Sequence, residues 1–207
     1  MSYVPTLRAV RAHFGLTQQE LASWLGLSRS AYSVVEAGRE ALPAHARAWL
    51  RPWATALSYL PDPPPPEPLD SALLTTLPAG PEALRARLLA CYLEAERLRE
   101  RLEQVQLRTL RNRRRQGMAG PLLAALTTEA SYALREEDAA TRWRRRWLNR
   151  WLEAAADELL PTAAATGPTA EALLTARRAA CQHEAATLRA YLDSLPAPAN
   201  RRRPPAP

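Results

Sequence analysis

Two helix-start signals separated by one glycine constrain the fold of this chain more than any other feature. Thr17 and Glu20 have the Ser/Thr-x-x-Glu spacing of a capping box, which predicts a helix that begins at Gln18. Gly26 is placed to end that helix after about two turns, and Ser28 is placed to cap the next one. Two short helices joined by so short a turn predict a helix-turn-helix.

The second of these helices has one apolar face and one polar face. Helical spacing turns Tyr32 and Val35 inward, because they fall on the side of the helix that carries the apolar residues. The outward side chains are those of Arg29, Ser30, Ser33 and Val34. An arginine in the first turn of such a helix can donate two hydrogen bonds to guanine, the serines can bond bases or phosphates, and the valine can touch a thymine methyl.

The stretch from Leu16 to Gly38 matches a longer pattern in order and spacing, Leu-Thr-Gln-x-Glu-Leu-Ala-x-x-Leu-Gly-x-Ser-x-Ser-x-x-Ser-x-x-Glu-x-Gly. It resembles the phage-repressor and Cro group of helix-turn-helix domains, also called XRE-like. The resemblance covers residues 1–60 and nothing beyond them. It implies that Gln18 and the N-cap region contact phosphate, that Arg29, Ser30 and Val34 face base edges, and that Glu36 pairs with Arg11 inside the domain.

We therefore expect double-stranded DNA as the partner, read in the major groove by the helix over 28–37. The candidate DNA-binding residues are Thr17, Gln18, Ser28, Arg29, Ser30, Ser33, Val34 and Arg39. Residues 1–60 carry a surplus of only three positive charges, from six Arg and three Glu, although the whole chain has a net charge of +7. Because non-specific affinity for DNA follows the number of phosphates neutralised, so small a surplus predicts weak binding by a monomer. We therefore expect a homodimer.

Composition and the placement of glycine and proline predict an all-α fold. The chain has 7 Gly, 19 Pro, one Phe and no Ile, and its apolar residues are mostly Ala and Leu, which favours helices over sheets. We expect an N-terminal helix-turn-helix bundle of four or five short helices over 1–60, followed by a proline-rich linker over 61–68. A C-terminal antiparallel three-helix bundle or coiled coil is expected over 69–195, for dimerisation or partner binding, and a disordered tail over 196–207.

Within the C-terminal half, three long helices are predicted. The first begins near Pro81 and carries a heptad seam, which runs Leu84, Leu88, Cys91, Ala95, Leu98, Leu102, Val105 and Thr109. A turn is expected at Gly117 and Gly120, the second helix at 121–160, and the third at 169–195. Tryptophans at 143, 147 and 151 share one face of the second helix, and we interpret them as a buried stripe of the bundle flanked by arginines.

No pattern in the sequence indicates catalysis, a metal or a cofactor. The two cysteines lie ninety positions apart and only three His are present, so there is no ligand set for zinc or haem. Phosphate loops, nucleophile elbows and zinc-protease helices are absent. No apolar run of about eighteen residues occurs, so we expect a cytoplasmic protein with no membrane contact. Because the catalytic motifs are missing, we also expect no enzymatic activity.

The predicted function is that of a sequence-specific DNA-binding transcriptional regulator, acting as a repressor. One alternative is an antitoxin or phage-type repressor whose C-terminal bundle binds another protein. A second alternative, from a different class, is a coiled-coil interaction protein in which the helix-turn-helix only packs and binds no DNA.

Overall fold

The computed structural model describes residues 3–57, 76–132, 138–163 and 166–196. Within these ranges the regular elements are α1 (Val4–Phe14), α2 (Gln18–Leu25), α3 (Arg29–Glu36), α4 (Ala44–Ala56), α5 (Glu82–Gly117), α6 (Ala119–Tyr132), α7 (Ala139–Leu159) and α8 (Gly167–Ser194). No strand occurs among the described residues, and the predicted all-α class is confirmed.

Local signals set the ends of α2 and α3 as the sequence predicts. The Thr17 hydroxyl accepts from the Glu20 backbone N–H, and the Glu20 carboxylate accepts from the Thr17 backbone N–H at 2.7 Å, so both halves of the capping box are formed. Gly26 ends α2 with φ +74°, in the left-handed region that favours glycine. Ser28 then caps α3 by accepting from the Ala31 N–H at 3.1 Å.

The described residues form two compact units that differ from the predicted division at a linker. The first unit takes the described parts of 1–63 and 107–168, and the second takes those of 64–106 and 169–207. The helix-turn-helix segment therefore shares its unit with the end of α5 and with α6 and α7. The predicted linker over 61–68 lies outside the described residues, as does the tail from 197 to 207.

One hydrophobic core runs through the first unit. Buried residues of α1 to α4, among them Phe14, Leu25 and Trp53, belong to the same core as Leu122 of α6 and Leu148 of α7. The core also includes Leu7, Val10, Leu16, Leu21, Ala22, Trp24, Tyr32, Val35, Leu42, Ala46, Leu50, Met118, Leu126 and Trp151. Since burial of apolar surface is the main stabilising term in folding, α6 and α7 are part of what stabilises the helix-turn-helix.

Of the three α7 tryptophans predicted to form a buried stripe, Trp151 is buried, whereas Trp143 and Trp147 are half-buried, and the partner of the stripe is the N-terminal segment. Trp147 lies 5.6 Å from Trp24 between ring centroids, and Trp151 lies 5.5 Å from Trp53. The tryptophans of α7 also stack along the helix, with Trp143 and Trp147 centroids 6.2 Å apart and Trp147 and Trp151 centroids 5.4 Å apart. The stripe is thus not part of a three-helix bundle formed by the C-terminal half.

In the second unit, the predicted seam of α5 packs antiparallel against α8. Its N-terminal part, with Leu88, forms one core with Ala185 and Leu192, whereas Leu98 further along meets Leu174. The numbers rise along α5 as they fall along α8, which makes the pair antiparallel. Leu84 and Val105 of the predicted seam are half-buried, and its other positions are buried. Because α8 of the same chain covers the seam, it is not free for a second copy.

The predicted helix over 121–160 is two helices instead of one. Helix α6 begins at Ala119, so Gly120 and Pro121 lie in its first turn and not in the predicted loop. Helix α7 begins after Asp138, whose side chain accepts from the Thr141 backbone N–H at 2.6 Å. Aspartate is a preferred N-cap residue, and Asp138 marks this second start.

Candidate nucleic-acid interface

Helix α3 presents a polar face away from the core. Tyr32 and Val35 are buried as predicted, and Glu36 beside them is 6% exposed. On the opposite face Arg29, Ser30 and Ser33 are exposed, while Val34 is half-buried. The helix therefore has the two faces that its spacing predicts, and its outer face carries hydrogen-bonding side chains.

The buried carboxylate of Glu36 holds α3 against α1 and α2. It accepts from Arg11 Nε at 2.7 Å, from Gln18 Nε2 at 2.7 Å and from the Tyr32 hydroxyl at 3.1 Å. The pairing with Arg11 that the family resemblance implies is thus present. Because each helix contributes a donor to one carboxylate, this single group links α3 to α1 and α2 in addition to their shared core.

The charge state of Glu36 follows from these contacts. Burial by itself would raise the pKa of Glu36, but the hydrogen bonds from Arg11, Gln18 and Tyr32 outweigh it and lower the pKa below its ordinary value of 4.5. Burial and the neighbouring charge of Glu36 together raise the pKa of Tyr32. At neutral pH the group is a carboxylate paired with a phenol and a guanidinium.

Three of the predicted site residues meet in one hollow beside the start of α2. Thr17, Gln18 and Arg29 line it together with Arg11 and Gly15. The backbone N–H groups at the start of α2 carry the positive end of the helix dipole, which favours an anion at this position. Among the described residues none pairs with the guanidinium of Arg29, which is exposed.

The side-chain amide of Gln18 makes a contact inside the domain. One N–H of this amide donates to Glu36 at 2.7 Å, and the phosphate contact that the resemblance implies stays a prediction. Thr17 is also engaged, since its hydroxyl donates to Glu20 at 2.8 Å. The side chains of Gln18 and Thr17 thus each make a hydrogen bond inside the protein in this structure.

The remaining predicted residues lie at two other places. Ser28 and Ser30 lie at the start of α3, where their hydroxyl oxygens are 3.0 Å apart. Arg39 follows α3 and lines a different hollow, together with Glu40 and Arg47. The structure therefore does not bring Arg39 together with Thr17, Gln18 and Arg29.

Two arginines near the end of α5, Arg111 and Arg115, lie beside Gly15 at the end of α1. Arg115 donates to the backbone oxygens of Phe14 at 2.9 Å and of Gly15 at 3.0 Å, which satisfies carbonyls at the end of α1. A Cβ added to Gly15 would lie 3.0 Å from Cδ of Arg111. Arg111 is exposed, so it places a further cation next to the hollow. No sequence signal joins residues almost one hundred positions apart.

A comparison with protein families identifies the N-terminal segment. Residues 5–57 match the family model described as a helix-turn-helix domain. The resemblance read from the sequence is therefore confirmed for this segment, which contains α1 to α4. No curated protein and no solved structure matches the chain.

None of the helices in the described ranges is long and apolar enough to cross a membrane. Among the same residues there is no group of three or more His, Cys, Asp or Glu side chains arranged to hold a metal ion.

Proposed function

We propose that the protein is a sequence-specific DNA-binding transcriptional regulator that reads the major groove of double-stranded DNA with α3. The observation that carries this proposal is the exposed outer face of α3, with Arg29 unpaired among the described residues at its first turn. A helix-turn-helix presents such a face to base edges. In its simplest action the regulator is a cytoplasmic repressor that occupies its site and has no enzymatic activity.

Phosphate contacts would come from the region beside α3. The start of α2 offers backbone N–H groups beyond the two that the capping box uses, and Arg111 adds an exposed cation beside Gly15. Phosphate contacts position a protein on DNA without carrying sequence information, whereas contacts to base edges specify the site. In this proposal α3 contacts the base edges, and phosphate contacts near Gly15 position α3 on the DNA.

We also propose that two copies bind together, since one helix-turn-helix with a small charge surplus buries limited DNA surface. The predicted seam of α5 is covered by α8 and is not offered as the dimer surface. Binding sites would then be palindromic, with half-sites about one helical turn, roughly 34 Å, or a multiple of it apart. Sedimentation equilibrium of the full chain, with and without a selected DNA site, measures this directly.

The test of base reading is Arg29→Ala on a preferred site selected from genomic fragments, measured by fluorescence polarisation at two salt concentrations. The variant should lose about 1 to 3 kcal/mol on the preferred site and much less on random DNA. The matched control is Arg101→Ala, which removes an exposed arginine of α5 outside the candidate interface. It should leave both affinities nearly unchanged.

The test of phosphate contact is Arg111→Ala in the same assay. It should weaken binding about equally on all sequences and reduce the dependence of affinity on salt by roughly one charge. If full-length protein binds no fragment at low salt, the proposed function is wrong. If Arg29→Ala weakens all sequences equally, α3 does not read bases as proposed.

A further inference from the structure

A cavity of about 830 Å³ lies in the first unit, beside the helix-turn-helix domain. Its walls come from the end of α1, from α4, from the end of α5 and from α6, and they include Phe14, Trp49, Met118 and Ala125. The lining is mostly apolar. Its volume lies within the range of about 300 to 1,000 Å³ that small-molecule sites occupy in proteins.

The charged groups at this cavity are all of one sign. Arg51, Arg113 and Arg114 line it, and among the described residues that line it none is acidic. Arg114 is 7% exposed and donates to the backbone oxygen of His13 at 3.3 Å. Arg51 and Arg113 are exposed, and no described residue pairs with either guanidinium. An apolar cavity with two available cations is complementary to an amphipathic anion.

We propose that this cavity is a binding site for a small amphipathic carboxylic acid, whose apolar body contacts Phe14 and Trp49 and whose carboxylate is held by Arg51 and Arg113. Burial of the apolar body supplies most of the affinity, because exposed ion pairs contribute little. The carboxylate supplies selectivity against alcohols and amines of the same length. The site does not depend on the proposed DNA binding, so its test needs no DNA.

The first test is calorimetric titration of the full chain with decanoate, 1-decanol and decylammonium below their aggregation limits. Decanoate should bind most tightly and decylammonium most weakly. The variant Arg51→Gln, Arg113→Gln should weaken decanoate by about 3- to 10-fold and leave 1-decanol unchanged. Arg101→Gln, an exposed change on α5 that does not line the cavity, should have no effect.

The second test fills the cavity with a matched pair of glycine variants. Gly117 lines the cavity and Gly120 does not, and a Cβ added at either position would meet nothing within 4 Å beyond its chain neighbours and the backbone of its own helix, so both variants should fold. Gly117→Leu should weaken decanoate at least about 10-fold, whereas Gly120→Leu should not. Absence of decanoate binding to the wild type, equal binding of acid and alcohol, or equal effects of the two glycine variants would each overturn the proposal.

Discussion

Replacement of Leu148 by alanine tests whether α7 belongs to the core of the helix-turn-helix domain. Leu148 is 0% exposed and lies in the same core as Leu25 and Trp53. Removing a fully buried leucine side chain costs about 2 to 5 kcal/mol, because apolar burial is lost and a cavity remains. We expect Leu148→Ala to lower the free energy of unfolding by about 3 kcal/mol. The exposed Leu123→Ala on α6, at 38% exposure, is the matched control and should cost less than about 1 kcal/mol.

Two measurements separate a shared core from an independent domain. All six tryptophans lie in the first unit, so their fluorescence during urea unfolding follows that unit. Native-state hydrogen exchange of the Tyr32 backbone amide, which donates to the backbone oxygen of Ser28 at 2.9 Å, reports on the opening of α3 itself. Leu148→Ala should speed this exchange as much as Leu25→Ala does. Unchanged protection of α3 in Leu148→Ala, beside a clear loss in Leu25→Ala, would refute the shared core.

Three further changes probe single contacts. Arg144→Leu leaves a backbone carbonyl at the end of α2 without its 2.8 Å donor and should cost about 1 to 3 kcal/mol in thermal unfolding, whereas the exposed Arg146→Leu on the same helix should cost little. Glu36→Gln should destabilise the protein at pH 7, and the difference in free energy of unfolding between variant and wild type should shrink as the pH falls below 4.5. The reason is that a carboxyl group whose pKa is lowered in the folded state stabilises the protein only while it is ionised. Urea unfolding at several pH values measures this difference. Leu98→Glu should lower the melting temperature, measured by circular dichroism, and reduce the free energy of unfolding by at least about 2 kcal/mol. Leu93→Glu, at a position that is 43% exposed, should not.

The predictable part of the site is local along the chain. The capping box at Thr17, the left-handed Gly26 and the cap at Ser28 each depend on residues within four positions, so the sequence alone placed α2 and α3 correctly. The inward Tyr32 and outward Arg29 follow from helical spacing. The pairing of Glu36 with Arg11 came only from the family resemblance, because no local rule joins positions 25 apart.

Other parts of the site depended on side chains that compete for partners. Gln18, which the resemblance places at a phosphate, donates a side-chain N–H to Glu36, which also receives Arg11 and Tyr32, and the spacing of the sequence does not predict this contact. A buried carboxylate is costly unless its oxygens are hydrogen-bonded, and so it takes the nearest donors. The sequence shows which donors are present but not which of them lie within reach.

The sequence by itself determined where α2 and α3 begin and which of their faces is apolar, since both depend on spacing along the chain, but it did not separate α6 from α7. Only the tertiary structure decided what covers those faces: Trp147 and Trp151 meet the helix-turn-helix domain, and Arg115 binds the end of α1. The physical reason is that hydrophobic attraction is non-directional and proportional to area, so an apolar stripe requires a partner without specifying which one. Shape and reach in three dimensions make that choice.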